Sequence, residues 1–221
     1  MDQPARQSLV VLLCDQLQKP CLAPFGGPVQ APTFERLASE GIAFDRYYCA
    51  TPLCIPTRPS MMTGRWPHEH GALSFGEGYD TIEQGSELLI DRLHDSGYRV
   101  AYDGVWHIRR PEEDDRRDEY AHFNEGGFPY DLHGEALVEL GLDADDQRAD
   151  IHGMTDEGMI PWKISVPVPA TWEKPLKSHP DMQKAQRIAQ FILDAPEDEP
   201  IAAWCSLGAP HPPLLVPEPY R

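Results

Sequence analysis

Residues 8–14 read SLVVLLC, a continuous apolar run with the length of one β-strand, and the polar residues Asp15 and Gln16 follow it directly. Uninterrupted apolar runs of this length are typical of strands that are buried on both faces of a sheet. The run therefore predicts a buried strand in an α/β protein. Asp15 and Gln16 would stand at its carboxyl end, where open α/β sheets form their ligand sites.

Helical and extended patterns alternate along the rest of the chain. Apolar spacing predicts helices over residues 33–41, 86–97 and 181–195. Alternating or short apolar runs predict strands over residues 42–48, 99–104 and 201–208. In the first helix, Thr33 is the expected N-cap, and Phe34 and Leu37 share the expected inward face. Repeated strand–helix–strand passages predict a layered α/β sheet.

Residues 109–178 lack this alternation. They open with the charge cluster RRPEEDDRRDE over residues 109–119 and continue with segments rich in Gly, Pro and aromatic residues. Charged runs of this kind are usually solvated loops. We therefore predict an irregular insertion here and not a separate domain.

The overall composition excludes several classes of partner. Asp and Glu number 36 against 19 Lys and Arg, a net charge of −17, whereas nucleic-acid binders need a basic face. No apolar run approaches the roughly 20 residues that span a bilayer. The N-terminus MDQPARQ has no secretory pattern, and the five cysteines are irregularly spaced. We expect a reduced, cytoplasmic protein with neither nucleic acid nor membrane as a partner.

The segment TPLCIPTRPSMMTGRWPHEHG, residues 51–71, is the most informative one chemically. Cys54 precedes a short helical stretch that ends near Gly64, and a helix N-terminus lowers a thiol pKa and attracts anions. Arg58 would add a fixed cation for an anionic substrate. Pro59 restricts the residue before it, which predicts that the helix starts late and leaves Arg58 in the preceding turn. On their own, these residues favour a buried structural cysteine with a surface arginine.

The wider pattern, CxPTR followed by MTGRWPHxHG, resembles the signature of the sulfatase family in the alkaline-phosphatase-like superfamily. The blocks VVLLCDQL, APTFERLASEGIAFDRYY, GYRVAYDGVWH and LGAPHPPLLVPEPY match in order, so that the resemblance covers about half of the chain. It implies a central, mostly parallel mixed sheet flanked by helices and incomplete at the C-terminus. Residues 1–221 would be the N-terminal part of a single sulfatase-like catalytic domain with the insertion at about 109–178.

The resemblance also implies a catalytic set. Cys54 would be oxidised by a separate formylglycine-generating enzyme to an aldehyde, whose hydrate has one hydroxyl to attack sulfur and a second to expel sulfate. Arg58 would complete the motif beside it. His107 would act as a base or hydrogen-bond partner to these hydroxyls, and His211 would bind the sulfate or protonate the leaving oxygen.

The same resemblance implies a metal site. Asp15, Gln16 and the modified Cys54 would hold a divalent ion, and an oxygen-only set suits Ca²⁺ best, with Mg²⁺ or Mn²⁺ as alternatives. Outside the resemblance, Asp15 is equally well explained as a strand-end turn former. His68 and His70 form an HxH pair, for which we expect a structural role.

Besides Pro59 after Arg58, two further features depart from the family pattern. Val105 stands where the family has a lysine that contacts nucleophile and sulfate; Arg109 or Arg110 are candidate replacements. Family members are also roughly twice as long, and their second acidic metal pair and a further lysine come from the later half. We therefore expect a fragment of a longer protein.

Together these observations favour a sulfuric ester hydrolase that acts on a small anionic sulfate ester. A phosphonate monoester or phosphodiester hydrolase of the same superfamily would use the same aldehyde. Val105 and the missing half also fit a catalytically inactive remnant. A hydrolase that uses the Cys54 thiolate itself is a weaker alternative.

Overall fold

The computed structural model describes residues 6–76, 78–126, 148–155, 158–167, 170–172, 174–211, 215–218 and 220. The chain divides into two compact units. The first, here called the sheet unit, contains residues 1–15, 87–106 and 112–221. The second, called the motif unit because it includes the CIPTR motif, contains residues 16–86 and 107–111. That these residues belong to a single catalytic domain stays a prediction.

Four parallel strands form the main sheet, which confirms the predicted α/β class. Numbered along the chain, they are β1 (Leu9–Cys14), β2 (Arg99–Gly104), β3 (His122–Glu125) and β7 (Ile201–Leu207). Their spatial order is β1-β7-β2-β3. The carboxyl ends of all four strands lie at the same edge of the sheet, since Cys14 is in register with Leu207, and Gly104 with both Ser206 and Glu125.

Further strands occupy part of residues 109–178, which the sequence predicted to be irregular. Besides β3, β4 (Arg148–Thr155) pairs antiparallel with β5 (Gly158–Pro167), and β6 (Ala170–Trp172) pairs in parallel with β8 (Leu215–Pro217). β3 and β6 are too short to show the alternation of apolar and polar residues that predicts a strand. In β4 and β5, Gly153 and Pro161 are residue types that argue against a strand in the sequence. The prediction of irregular structure was wrong for these strands.

The core of the sheet unit forms where α5 (Pro180–Leu193), the longest helix among the described residues, packs on the sheet. Its centre consists of six buried side chains: Ala101, Ile188, Phe191, Ile201, Ala203 and Cys205. Alanines on the strands leave room for the larger residues of the helix, and each large apolar side chain contributes about 1.5–3 kcal/mol on burial. The predicted helix 181–195 and strands 99–104 and 201–208 are confirmed within two residues.

Strand β1 is an edge strand, and the prediction that it is buried on both faces was wrong. β7 is its only ladder partner in the described part of the chain. Leu9, Val10 and Leu12 are exposed, the last of them by 58%. An apolar run reports the preference of its side chains for burial, but only the sheet order decides whether a neighbour covers them.

The helix α4 (Leu89–Asp95), also in the sheet unit, is shorter than the predicted helix 86–97. Its start is fixed by the Asp91 carboxylate, which accepts a hydrogen bond from the Leu88 N–H at 3.2 Å. Leu88 is the N-cap of this helix, and its N–H has no acceptor within the helix backbone. The Asp91 carboxylate supplies that acceptor. No helix among the described residues is long and apolar enough to cross a membrane.

The described residues of the motif unit form three α-helices, which are α1 (Pro32–Glu40), α2 (Cys54–Thr63) and α3 (Pro67–His70). The N-cap of α1 is Ala31 and not the expected Thr33, because Pro32 fits the first helical position. The Glu35 carboxylate also accepts the Ala31 N–H at 3.0 Å. Phe34 on the expected inward face is exposed.

Residues 42–48, predicted as a strand, form none. Ile42, Phe44, Tyr47 and Tyr48 are all exposed, Tyr47 by 84%. The alternation of apolar and polar residues suits a strand, but a strand also needs a neighbour for its backbone hydrogen bonds. The described residues provide no such neighbour for this segment.

A buried carboxylate connects β2, β3 and α5. Asp103 on β2 accepts two hydrogen bonds from Arg187, at 2.5 and 2.9 Å, and one each from His122 and Asn124, both at 2.9 Å. Burial by itself raises the pKa of Asp103, but the hydrogen bonds from Arg187, Asn124 and His122 outweigh it and hold this pKa below its usual value. Asp103 is therefore ionised in the folded protein at neutral pH.

Replacing Asp103 by Asn should lower the free energy of unfolding at pH 7 by about 2–3 kcal/mol. The loss is smaller than for a fully buried pair because the Arg187 side chain is 41% exposed. With a folded pKa below the unfolded value of about 3.9, Asp103 stabilises the fold above that pH, and this contribution disappears as the pH falls through the folded pKa. When the free energy of unfolding is measured with denaturant at several pH values, D103N should therefore lose less stability on acidification than the wild type.

Glu199→Gln is the matched control, since Glu199 pairs with Arg99 at 4.0 Å and its side chain is exposed. Surface pairs contribute little. Equal stabilities of D103N and the wild type from pH 3 to pH 7 would contradict the assignment of a stabilising role to Asp103.

Candidate active site

Cys54 is the first residue of α2, as the sequence predicted for a cysteine at a helix N-terminus. The backbone before it is extended at Leu53, and Ile55 is non-helical, with φ −101° and ψ 121°. The Thr57 N–H donates to the Leu53 carbonyl at 3.1 Å, and the Thr57 hydroxyl donates to the Thr51 carbonyl. These bonds hold the loop and first turn around a half-buried Cys54 side chain.

Arg58 is buried, with 8% exposure, so that the interpretation as a surface arginine does not hold. The regular part of α2 begins only after the non-helical Ile55 and includes Arg58 and Pro59, so that Arg58 lies in the first turn of the regular helix and not before it. Pro59 is tolerated since the residue four positions earlier is Ile55, whose non-helical backbone does not offer a regular acceptor for the missing N–H. The interruption at Ile55 also means that Cys54 and Arg58 do not follow the spacing of a regular helix face.

The far half of α2 is held by His70. Ser60 Oγ and His70 Nε2 are 2.9 Å apart, and the Ala72 N–H donates to His70 Nδ1 at 3.2 Å. Because Nδ1 accepts a hydrogen bond, the neutral ring carries its proton on Nε2 and donates it to Ser60. His70 is fully buried while His68 is exposed. This geometry supports a structural role for His70 over a metal-binding HxH pair.

His107 begins the second segment of the motif unit. Its ring packs edge-to-face on Phe75, with 5.4 Å between centroids. Two residues later, the Arg109 guanidinium pairs with Asp80 at 2.7 Å, and the Arg109 carbonyl accepts the Ile82 N–H at 2.9 Å. Arg109 is thus engaged by a carboxylate of its own unit, which weakens its candidacy as a replacement for the lysine that Val105 lacks.

Gln16 and His107 are the only non-glycine residues with left-handed backbone among those the structure describes, with φ of 60° and 51°. Such conformations cost on the order of 1–3 kcal/mol each and concentrate at functional sites. Both residues were predicted as site residues from the sequence. Their conformations are an observation independent of that prediction, and they support it.

In the sheet unit, Asp15 and the turn that carries His211 lie at the carboxyl edge of the main sheet. The Asp15 N–H donates to the Leu207 carbonyl at 3.2 Å, and the His211 N–H donates to the Gly208 carbonyl at 3.0 Å. At the same edge the Val105 N–H donates to the Ser206 carbonyl at 3.1 Å, while the Val105 side chain is 1% exposed. Val105 therefore contributes backbone structure and no charge.

The six predicted site residues fall into both units. Asp15 and His211 belong to the sheet unit, where the structure brings the end of β1 and the His211 turn to one edge. The other four belong to the motif unit: Gln16, Cys54, Arg58 and His107.

Sequence analysis missed a buried ion pair beside the His211 turn. Lys184 Nζ lies 3.0 Å from Asp181 Oδ1 on the first turn of α5. The sequence pattern that could have predicted this pair is Pro180 and Asp181 at the start of a helix, with Lys184 three residues after the aspartate and thus on the same helix face.

Cys14 and Cys205 are poor nucleophiles in this fold. Burial and, to a smaller extent, the charge of Asp181 raise the pKa of the Cys14 thiol. Burial and then the charges of Asp103 and Asp181 raise the pKa of Cys205 to about 11. Both side chains remain protonated at neutral pH and do not compete with Cys54 as reactive cysteines.

The donor chemistry at the end of β1 fits a hard divalent cation, although it is incomplete. Asp15 and Gln16 supply a carboxylate and an amide oxygen, and Ca²⁺ takes about 6–8 oxygen ligands. No group of three or more His, Cys, Asp or Glu side chains within the described ranges is placed to hold a metal ion. These two residues can thus provide part of a metal site, and further oxygens must complete it.

Comparison with known proteins gives a family match over nearly the whole chain. The model of the family described as Sulfatase matches residues 7–221. An arylsulfatase from Klebsiella aerogenes is 24% identical over an alignment of 230 positions, which covers 98% of this chain and 45% of the relative. The human N-acetylgalactosamine-6-sulfatase is 31% identical over 121 residues, 49% of this chain and 23% of the relative. The chain spans less than half the length of these relatives.

Solved structures share the fold. The phosphonate monoester hydrolase of Agrobacterium radiobacter superposes with a TM-score of 0.65 at 18% identity, covering 97% of this chain and 43% of that protein. A protein solved in complex with its substrate D-glucosamine-2-N,6-O-disulfate superposes with a TM-score of 0.61 at 19% identity, covering 94% of this chain and 35% of that protein. The predicted architecture, a parallel sheet flanked by helices, is confirmed by these neighbours.

The burial of His70 predicts a pH-dependent stability. Burial lowers the pKa of His70 and outweighs the nearby carboxylates of Glu69 and Glu83, which act in the opposite direction. Since the folded pKa lies below the unfolded value of about 6.5, unfolding takes up a proton, and stability falls as the pH drops below 6.5. Chemical unfolding at pH 7.5 and pH 5.5 should show a smaller difference for His70→Gln than for the wild type.

His68→Gln provides the control, because His68 is exposed in the same helix. It should keep the pH dependence of the wild type. If H68Q and H70Q changed the pH dependence equally, the assignment to the buried ring would be wrong.

Proposed function

The chain belongs to the sulfatase family, and from this membership we propose that it carries the nucleophile half of the active site of a sulfuric ester hydrolase. The observation that carries the proposal is the CIPTR motif at the start of α2, where Cys54 is the first residue and Arg58 is buried. The extent of the family match, residues 7–221, gives the motif its context.

Cys54 is the nucleophile in this proposal, after conversion to formylglycine by a formylglycine-generating enzyme. In that form the side chain supplies a hydrated aldehyde, in which one hydroxyl attacks sulfur and the other permits the release of sulfate. Arg58 provides a fixed positive charge for the sulfate oxygens. The hydrogen bonds of Thr57 to Thr51 and Leu53 support the role of this loop, since a nucleophile must be held in one orientation.

Two histidines are proposed for proton transfer. His107 holds or accepts a proton at the hydroxyls of side chain 54, and its left-handed backbone and its contact with Phe75 support a fixed ring position. His211 binds the sulfate or gives a proton to the leaving oxygen, and its position in the turn after β7 supports a role at the ligand-binding edge of the sheet.

Asp15 and Gln16, together with the modified side chain 54, are the proposed ligands of a divalent cation, Ca²⁺ by preference and Mg²⁺ or Mn²⁺ as alternatives. Bound there, the cation would withdraw negative charge from the nonbridging sulfate oxygens. The oxygen donors of Asp15 and Gln16 support this choice of metal.

The proposed substrate is a small sulfate ester, and a sulfated sugar is the first candidate to assay. The sugar-sulfatase names of several relatives support this class. One structural neighbour was solved with a sulfated glucosamine as its substrate. Phosphonate monoesters form the comparison set, because the neighbour that hydrolyses them shares the fold.

Conversion of Cys54 is the decisive test. After co-expression of the full-length protein with a formylglycine-generating enzyme, the peptide that contains residue 54 should show the loss of mass from thiol to aldehyde. Cys54→Ala should lower the hydrolysis of an aryl sulfate by three or more orders of magnitude, on the order of a nucleophile deletion. Peptide mass spectrometry and initial rates provide the two measurements.

Cys49→Ala is the control, because Cys49 is an exposed cysteine five residues before Cys54 and outside the motif. It should leave conversion and rate unchanged. An unmodified thiol at position 54 would instead favour an inactive remnant. Faster hydrolysis of an aryl phosphonate than of an aryl sulfate would favour the alternative hydrolase, and inactivation by alkylating agents would favour thiolate chemistry.

Arg58→Lys should lower kcat by about 10²–10³, because lysine keeps the charge but loses the fork geometry that binds two oxygens of one anion. Arg36→Met is the control, since Arg36 is exposed on α1 and pairs with Glu40 at 3.0 Å. Steady-state rates and circular dichroism would separate catalysis from folding. A kcat of R58K equal to that of R36M would remove Arg58 from the catalytic set.

A further inference from the structure

Asp181 binds two consecutive backbone N–H groups with one carboxylate. Its Oδ1 accepts the Gly208 N–H at 2.9 Å, and its Oδ2 accepts the Ala209 N–H at 2.7 Å. Gly208 and Ala209 are the first residues after β7, at the carboxyl edge of the main sheet. Asp181 is buried, and hydrogen bonds from N–H groups to a buried carboxylate are among the stronger ones in proteins.

These two bonds complete the backbone hydrogen bonding of the His211 turn, residues 208–211. The His211 N–H donates to the Gly208 carbonyl at 3.0 Å, and Pro210 has no N–H. Every backbone donor of the turn is therefore engaged, and Asp181 accepts two of the three. Gly208 is buried, so that an unsatisfied N–H there would be costly, and its bond to Asp181 favours this conformation of the turn. The bond from the exposed Ala209 adds a second, charge-assisted contact to the same carboxylate.

Asp181 is itself held in place from two sides. The His179 ring accepts the Asp181 N–H at 3.3 Å at the start of α5. Lys184, which is 2% exposed, places Nζ 3.0 Å from Asp181 Oδ1. Burial raises the pKa of Asp181, but the Gly208 N–H, the charge of Lys184 and the Ala209 N–H outweigh it and keep this pKa below its usual value.

We propose that Asp181, with Lys184, is a positioning residue that fixes the His211 turn for catalysis. The proposal rests on the function proposed above for His211. Asp181 does not touch the substrate in this view. It acts by holding the backbone from which His211 projects, so that the imidazole meets the sulfate or the leaving oxygen in one geometry.

A merely structural role is the competing explanation, because a buried ion pair is weak evidence of function. The chain offers a matched comparison on the same helix. Asp103 is also buried and pairs with Arg187, one turn after Lys184 on α5. The hydrogen bonds of Asp103 go to side chains of β3 and α5 and not to the 208–211 backbone.

The experiment compares Asp181→Asn, Asp181→Ala and Asp103→Asn in the full-length, converted protein. Asn keeps one acceptor oxygen, whereas Ala keeps none. Hydrogen exchange of the 208–211 amides should accelerate about 10- to 100-fold in D181A and less in D181N, with no selective change in D103N. The kcat for an aryl sulfate should fall in the same order, and D103N should resemble the wild type.

The double variant D181A/H211A separates positioning from general destabilisation. If Asp181 acts through His211, its removal should cost no further activity once His211 is absent. A fully additive loss would overturn the proposal. So would unchanged exchange at Gly208 and Ala209 in D181A, or an equal loss of kcat in D181A and D103N.

The two proposals fail in different ways. If the converted wild-type protein hydrolyses no sulfate ester, the proposed function is contradicted, and so is the proposed role of Asp181 in catalysis. An active wild type with an unaffected D181A contradicts only the positioning role.

Discussion

The common end of β1, β7 and β2 is the constraint on which the site in the sheet unit depends. Cys14 is in register with Leu207, and Gly104 with Ser206, so that the three strands end within one residue of each other. Only glycine fits at position 104, because φ is 119° and a Cβ would lie 1.9 Å from the Ser206 carbonyl oxygen. This close approach brings the ends of β2 and β7 together, and the β1–β7 register brings Asp15 to the same edge.

The signature residues around Cys54 have local structural roles as well as chemical ones. Thr57 ties the first turn of α2 to the preceding loop through two hydrogen bonds. At the other end Gly64 adopts left-handed backbone, φ 67°, and its N–H donates to the Ser60 carbonyl at 2.9 Å. Ser60 in turn bonds His70. Much of the motif therefore preserves the shape of the helix that presents Cys54 and Arg58.

Near the sheet edge the protein uses its cations to neutralise its own buried carboxylates. Lys184 pairs with Asp181 and Arg187 with Asp103, and both carboxylates remain ionised because hydrogen bonds compensate for burial. Val105 adds no charge at this edge. The cation proposed to meet an anionic substrate is the buried Arg58 in the motif unit, and the net charge of −17 does not determine the local field around it.

The sequence by itself determined the α/β class, the approximate positions of the helices α1, α4 and α5 and of the strands β1, β2 and β7, and the resemblance to the sulfatase family, because apolar periodicity and residue type are local properties. It could not determine that β1 is an edge strand, that residues 42–48 stay exposed, or that β3 joins the sheet, since each depends on which neighbour a segment meets. Only the tertiary structure brings Asp181 to the His211 turn, because the hydrogen bonds to Gly208 and Ala209 join residues that lie 27 and 28 positions apart.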